Sequence, residues 1–483
     1  MLELKYFRLM KWLGNLVKIF KIVDMSCLCH MAVLACSGLT AACGFSHHRL
    51  SSHQSMNLIS TRVLSALCTA LLLAACQPTG TPPPATKPLA AKPPAYLNAA
   101  YAPSLKRQPG VDEMTAMGRA MFSEPSLSAS GRQSCASCHS PQHAYGAPNG
   151  LAVQLGGAGM QAVGTRAAPS LRYIQNAPSF TEHFHDDEGD DSIDAGPTGG
   201  RNWDGRAQSG HEQALTPLLA ANEMGNADAA AVVAKLRNGP LAAQFQRTYG
   251  DDIFAHDDAA MRWILMSLEV FQESPTDFYP YTSKYDAVLR KQATLSKREA
   301  RGLALFNDER KGNCASCHIS AITESGGFPQ FTDYGLINIG VPRNTKLAAN
   351  ADPRYFDLGL CGPYRTDLRE HQEYCGMFKT PSLRNVAERK VFFHNGSFTS
   401  LQQVMRFYVQ RDTAPQKWYP KNADGSVHKY DDLPPGLEAN VNVEPPFNRQ
   451  PGQKPALNEA DIADIIVFLK TLTDGYKAPL AAR

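Results

Sequence analysis

Apolar positions fall at helical spacing in several stretches of this chain, and two of those stretches end in the same kind of loop. From Met114 the sequence MTAMGRAMFSEPSLSASGRQ reads as a short amphipathic helix running into a polar loop. From Leu295 the sequence LSKREARGLALFNDERKGN repeats the arrangement, and Ser296 followed three residues later by Glu299 has the spacing of a capping box. Leu401, Val404 and Tyr408 mark a further apolar stripe, with Met405 one turn from Tyr408. Near the C-terminus, ALNEADIADIIVFLKTLTDG (456–475) predicts a helix that packs as the last element of its domain. With 33 prolines and 36 glycines, the helices should be modest and the connections long.

At 483 residues the chain is too long for one ordinary domain, and two is the reading adopted. Apolar residues make up 43% and aromatic residues 9%, enough for packed cores. Lys and Arg number 48 against 45 Asp and Glu, a balance that gives no nucleic-acid footprint and no polybasic membrane surface.

The first hundred residues concern address. From Met56, a start containing Arg62 precedes an apolar run from Val63 to Ala75 that ends in Leu73-Ala74-Ala75-Cys76. This has the form of an export signal, and the small residues before Cys76 resemble a lipobox, so residues 56–76 are read as a lipoprotein-type signal peptide with a lipid anchor at Cys76. A single membrane-spanning anchor is the alternative, but the run is shorter than the roughly 20 residues a spanning helix needs. Residues 1–55, with their basic apolar stretch from Lys11 to Val23, are read as a non-native upstream extension with translation beginning at Met56; the competing reading places the processing site at an earlier cysteine, near Cys43. Either sends the protein out of the cytoplasm, to the periplasm. Residues 77–105 are a proline-rich linker that favours extended backbone.

Of the 12 cysteines, six lie at or before Cys76 and six in the body. Four of the six form Cys135-Ala-Ser-Cys138-His139 and Cys314-Ala-Ser-Cys317-His318, the attachment pattern for c-type haem. The two thiols add across the haem vinyl groups and the adjacent histidine becomes the proximal iron ligand. A zinc half-site or a redox dithiol could explain one copy, but zinc sites rarely repeat the trailing histidine and a redox dithiol needs none. Two covalently bound haem c groups are therefore expected. Cys361 and Cys375 remain, and an oxidising compartment favours a disulfide between them over two free thiols.

The repeated context of the two motifs is an internal duplication. The expected fold is mainly α, with two cytochrome-c-like helical domains and long loops, each domain built around one haem. Residues 106–285 form the N-terminal unit and residues 286–483 the C-terminal unit.

Five further motifs carry a resemblance. N-W-D-G-R at 202–206, E-Q-A-L-T-P at 212–217, N-E-M at 222–224, F-K-T-P-S-L-R-N-V at 378–386 and F-H-N-G at 393–396 are similar to those of the bacterial di-haem cytochrome c peroxidase family, with its MauG-like subgroup. The resemblance runs from about residue 110 to 475. It implies that hydrogen peroxide reacts at the haem of His139. Some members place a histidine on that iron in the resting state, in a loop reading L-G-His. Here the loop reads Leu155-Gly156-Gly157, and no histidine lies between His143 and His183, so this haem is expected to be five-coordinate without reductive activation.

The resemblance also implies a distal pocket of Gln213, Pro217 and Glu223. A carboxylate suits the chemistry, because splitting the O–O bond unevenly requires a group that moves a proton from one peroxide oxygen to the other. Glu223 is the acid–base candidate, Gln213 would orient peroxide or water, and Pro217 would shape the pocket. Trp203 matches the tryptophan between the haems and would relay charge, although an indole is often buried for its area alone. The sixth ligand of the second haem lies fourteen residues after His394, at Tyr408, where ordinary electron-transfer members have methionine. Tyrosinate is a hard donor that favours oxidised iron, whereas thioether sulfur favours the reduced state. Met405, one turn away, is the rival ligand. The family's calcium site between the haems uses an asparagine where this chain has Ala167-Ala168-Pro169, which leaves calcium to carbonyls and water and weakens it.

The function expected is a peroxide-dependent di-haem peroxidase fed through the C-terminal haem by a small cytochrome or cupredoxin. The alternatives are a di-haem electron carrier without turnover, a sensory cytochrome, and an enzyme that oxidises a side chain of a protein substrate. The acidic run HDDEGDDSID at 185–194 is read as a solvated loop, with a docking patch as the alternative.

Overall fold

The structure is a computed structural model of the full chain, and it describes residues 94–98, 101, 103–185 and 194–478. The readings made for residues 1–55, for the signal at 56–76 and for most of the linker lie outside the described residues, as does residue 186–193 of the acidic run. The fold is mainly α, with eleven α-helices and four two-residue strands among the described residues.

Two hydrophobic clusters organise the body, one gathering residues between Tyr96 and Phe278 and the other residues between Tyr285 and Leu472. The first rests on helix α1 (Val111–Ser123), whose buried face is Met117, Gly118, Met121 and Phe122, crossing α6 (Asp257–Gln272) at Ile264, Leu268 and Phe271. The crossing is close because Gly118 has no side chain: a Cβ there would sit 1.9 Å from the Ser267 carbonyl. Between them lie α2 (Cys135–Cys138), α3 (Gly210–Leu219), α4 (Ala229–Asn238) and α5 (Ala242–Tyr249). Phe122, Tyr145, Phe271 and Phe278 meet edge-on in the same core.

The second cluster repeats the device. After α7 (Pro275–Phe278) and α8 (Lys284–Leu289), helix α9 (Lys297–Asn307) starts at the anticipated box, with Ser296 N–H on the Glu299 carboxylate at 2.6 Å and Glu299 N–H on Ser296 Oγ at 3.3 Å. It crosses the terminal helix α11 (Glu459–Lys470) at Gly302, where a Cβ would lie 2.1 Å from the Asp464 carbonyl. Ile462, Ile465, Phe468 and Leu469 form the buried stripe of α11, as the apolar spacing of that segment requires. Helix α10 (Leu401–Gln410) carries Met405 and Tyr408. Strands β1 (Leu155–Gly156) and β2 (Ala162–Val163) form one antiparallel hairpin, and β3 (Leu336–Ile337) pairs with β4 (Phe378–Lys379).

Buried polar groups tie the halves together. Asp474 accepts from Arg172 at 2.9 Å, Tyr173 at 2.7 Å and Asn385 at 2.7 Å. Arg166 bridges Asp204 and Asp357, each at 2.7 Å. Cys361 and Cys375 are joined in a disulfide. The end of the proline-rich segment is packed rather than extended: Ala95–Leu97 forms a 3-10 turn, Tyr96 is buried in the first core, and its carbonyl accepts from Arg262 at 3.2 Å. The aromatic ring explains the difference, since burying it outweighs the cost of ordering a short turn.

Candidate active site between two cysteine-lined cavities

Both C-A-S-C-H motifs sit directly after the loops that follow α1 and α9, and each opens onto its own cavity. The first cavity is bordered by Cys135, Cys138, His139, Gln213, Pro217 and Glu223. The second is bordered by Cys314, Cys317, His318, His394, Met405 and Tyr408. Trp203, Lys379, Pro381, Ser382 and Arg389 border both. The structure thus places the candidate haem-binding and catalytic side chains, Cys135, Cys138, His139, Trp203, Gln213, Pro217, Glu223, Cys314, Cys317, His318 and Tyr408, at one or the other of two cavities that share part of their lining.

The histidines are set up as ligands. The Nδ1–H of His139 donates to the carbonyls of Pro169 at 3.0 Å and Tyr145 at 3.2 Å, and that of His318 to Phe331 at 2.9 Å. Fixing the proton on Nδ1 leaves the Nε2 lone pair free for a metal. Burial also pushes the His318 imidazole down to about 4. Among the described residues, His139 is the only histidine bordering the first cavity.

Helix α3 begins at Ser209, whose hydroxyl caps Glu212 N–H at 3.3 Å, and presents Gln213 and Pro217 on successive turns. Pro217 has no N–H to offer the Gln213 carbonyl, which weakens the helix there and brings it to an end within three residues. The turn that follows carries Glu223. Its N–H donates to the Ala220 carbonyl at 2.9 Å, and the next amide, Met224, donates to Pro217 at 3.0 Å. Burial pushes the Glu223 carboxyl above the ordinary range, and the Arg206 guanidinium opposes that rise.

Trp203 is buried, with its indole N–H on the Ala167 carbonyl at 2.8 Å. The carbonyls of Ala167, Ala168 and Pro169 therefore all accept from protein donors: Trp203, Arg389 at 3.5 Å and His139. Among the described residues no group of three or more His, Cys, Asp or Glu side chains is arranged to hold a metal ion. Tyr408 and Met405 both border the second cavity.

Lys379 and Arg389 were not singled out in the sequence. Lys379 Nζ donates to the Gly200 carbonyl at 2.5 Å, and burial, with Arg201 nearby, pushes it down to about 7. Arg389 reaches the carbonyls of Val391 at 3.3 Å and Ala168, and burial pushes it down to about 10. Both are half-buried, and neither is in ion-pair contact with a carboxylate among the described residues. His394 lies flat on Phe378, ring centroids 3.5 Å apart, with its Nε2 unpartnered beside the second cavity. These features fit a haem in each cavity: thiols for two vinyl groups, an imidazole nitrogen next to them for iron, apolar walls for the porphyrin, and half-buried cations for its carboxylates. Lys379 lies within F-K-T-P-S-L-R-N-V, and Arg389 follows that motif between Glu388 and Lys390, so local sequence marks neither as a cavity residue.

The profile of the family described as di-haem cytochrome c peroxidase matches residues 112–294. The chain is 31% identical over 396 residues to the methylamine utilization protein MauG of Paracoccus denitrificans, covering 80% of this chain and 95% of that protein. It is 25% identical over 295 residues to the cytochrome c551 peroxidase of Nitrosomonas europaea, covering 61% of this chain and 72% of the relative. The crystal structure of the diheme peroxidase BthA from Burkholderia thailandensis superimposes with a TM-score of 0.67 at 37% identity, over 76% of this chain and 87% of that one.

Proposed function

This chain belongs to the bacterial di-haem cytochrome c peroxidase family, whose members are oxidoreductases acting on peroxide, and from that premise we propose that it reduces hydrogen peroxide to water in the cavity beside His139. Electrons enter through the cavity beside His318 from an external protein donor, a small cytochrome or a cupredoxin. The net reaction takes two electrons and two protons per peroxide and yields two waters. The observation that carries this reading is the unlike lining of the two cavities: Gln213 and Glu223 border the first, and Tyr408, Met405 and His394 the second.

When bound, the two haems supply redox-active iron, one open to peroxide and one that exchanges electrons. The rest falls to the chain. His139 and His318 would hold the irons through Nε2, and Cys135, Cys138, Cys314 and Cys317 would tether the rings. Glu223, as carboxylate, takes the proton from one peroxide oxygen and returns it to the other as the O–O bond breaks. Gln213 orients peroxide by hydrogen bonding, Pro217 shapes the wall, and the Trp203 indole carries charge from one cavity to the other. Tyr408 is proposed as the sixth ligand of the second iron. A calcium ion would compete with Trp203, Arg389 and His139 for the carbonyls of Ala167–Pro169, and we give it no role.

The expected compartment is the periplasm, with lipid attachment at Cys76. No helix among the described residues is long and apolar enough to cross a membrane. A second reading, oxidation of a side chain on a protein substrate, draws support from Tyr408 beside the second cavity and from the likeness to MauG. Mixing the ferric holoprotein with hydrogen peroxide tests the main reading: consumption of peroxide with oxidation of both haems supports it, and a simple electron carrier would leave the peroxide unconsumed.

A further inference from the structure

Glu223 and Met224 are held at both their N–H and C=O groups, and one of those holds comes from the hairpin β1–β2, 66 residues upstream by the count from Gly157 to Glu223. Glu223 N–H and Met224 N–H are bound within their own turn, the Met224 carbonyl accepts from Ala129 N–H at 2.7 Å, and the Glu223 carbonyl accepts from Gly157 N–H at 2.6 Å. Among the described residues no donor holds the Glu223 carboxylate itself, so its position is set by its backbone.

The hairpin reaches that backbone only because it has no side chains at the contact. A Cβ on Gly156 would lie 2.5 Å from the Asn222 carbonyl and 2.8 Å from the Glu223 carbonyl. A Cβ on Gly157 would lie 2.6 Å from the Ala221 carbonyl, and Gly157 has a φ of +77°, which disfavours any side chain. From the other side, Gln133 Nε2 donates to the Leu155 carbonyl at 3.2 Å, which fixes the hairpin to the loop that leads into Cys135. Gly159, at the hairpin tip, faces open space.

We infer that the hairpin is a rigid brace, and that Gly156 and Gly157 are positioning residues that aim the Glu223 carboxylate at the peroxide cavity. The loop beside the first cavity is thereby committed to one placement, with its glycines against the acid–base turn. A shift of about 1 Å in a reacting group can cost a hundredfold in rate, so a methyl group pressed against the Ala221 carbonyl is enough to register.

The inference rests on the acid–base reading of Glu223, and a double-mutant cycle separates the two. The rate constant for the reaction of the ferric holoprotein with hydrogen peroxide is measured for Gly157→Ala, Glu223→Gln and the double variant, with Gly159→Ala as control. The expected result is a fall of at least about tenfold for Gly157→Ala, about a hundredfold for Glu223→Gln, and no further loss in the double variant, while Gly159→Ala stays within about twofold of the native rate. A Gly157→Ala rate at the native level, or the same tenfold loss in the Glu223→Gln background, would overturn the brace. An unaffected Glu223→Gln would instead remove the acid–base reading and the brace's purpose with it. Hydrogen exchange on the native holoprotein needs no variant: the Gly157 amide should be protected at least about a hundredfold, and exchange at the rate of a free amide would also overturn the inference.

Discussion

The backbone N–H of Lys379 donates to the carbonyl of Trp203 at 2.8 Å, which ties a half-buried lysine to a buried tryptophan where both border both cavities. The second anchor of the indole is its N–H bond to Ala167. The relay proposed for Trp203 should be separable from its packing role. In Trp203→Phe the ring still fills the space, haem content and thermal stability should change little, and electron passage between the irons should slow in flash-photolysis or stopped-flow records. Unchanged transfer in a well-folded variant would leave Trp203 with packing alone.

The pH dependence of the peroxide reaction should carry the signature of Glu223. Burial raises its carboxyl, and the proposed role requires the ionised form. The rate should therefore rise with pH through a value above the ordinary carboxylate pKa of about 4.3 and fall off below it. In Glu223→Gln this acid limb should vanish and the plateau drop by about a hundredfold. An acid limb that persists in the variant belongs to another group.

The ligand of the second iron can be read from the absorption spectrum. Tyr408→Met should create the sulfur-to-iron band of a His/Met haem, while Met405→Leu should leave the native spectrum unchanged. The reverse pattern, a native band lost in Met405→Leu, would make Met405 the ligand.

The core of the C-terminal half depends on one fully buried ion pair, Arg384 with Asp286 at 2.9 Å. The guanidinium also lies over the rings of Tyr173 at 4.6 Å and Tyr281 at 4.7 Å, which reach it from the N-terminal half. Arg384→Met leaves Asp286 charged and uncompensated, and should cost about 3–5 kcal/mol in chemical denaturation. Replacing both members together should restore much of that loss.

What could be read from the chain followed the range over which each contact acts. The haem-attachment motifs, the Ser296–Glu299 cap and the stripe of α11 are contiguous patterns, and local chemistry alone makes them legible. Gln213, Pro217, Glu223 and Trp203 were legible only through resemblance, and the structure brings all four to the first cavity. The brace was not legible, because Gly156 and Gly157 acquire meaning only when the Ala221–Glu223 turn lies against them. The same holds for Lys379 and Arg389, whose place beside both cavities without a carboxylate partner is a tertiary fact, and for Tyr96, whose ring turns the end of a proline-rich tether into part of a core.

The central claim is an open iron beside His139 that communicates with a fully ligated iron beside His318. Electron paramagnetic resonance of the resting ferric holoprotein, before and after addition of hydrogen peroxide, tests it most directly. The account predicts one high-spin and one low-spin haem, both of whose signals diminish when peroxide is added. Two low-spin haems that do not respond to peroxide would contradict it.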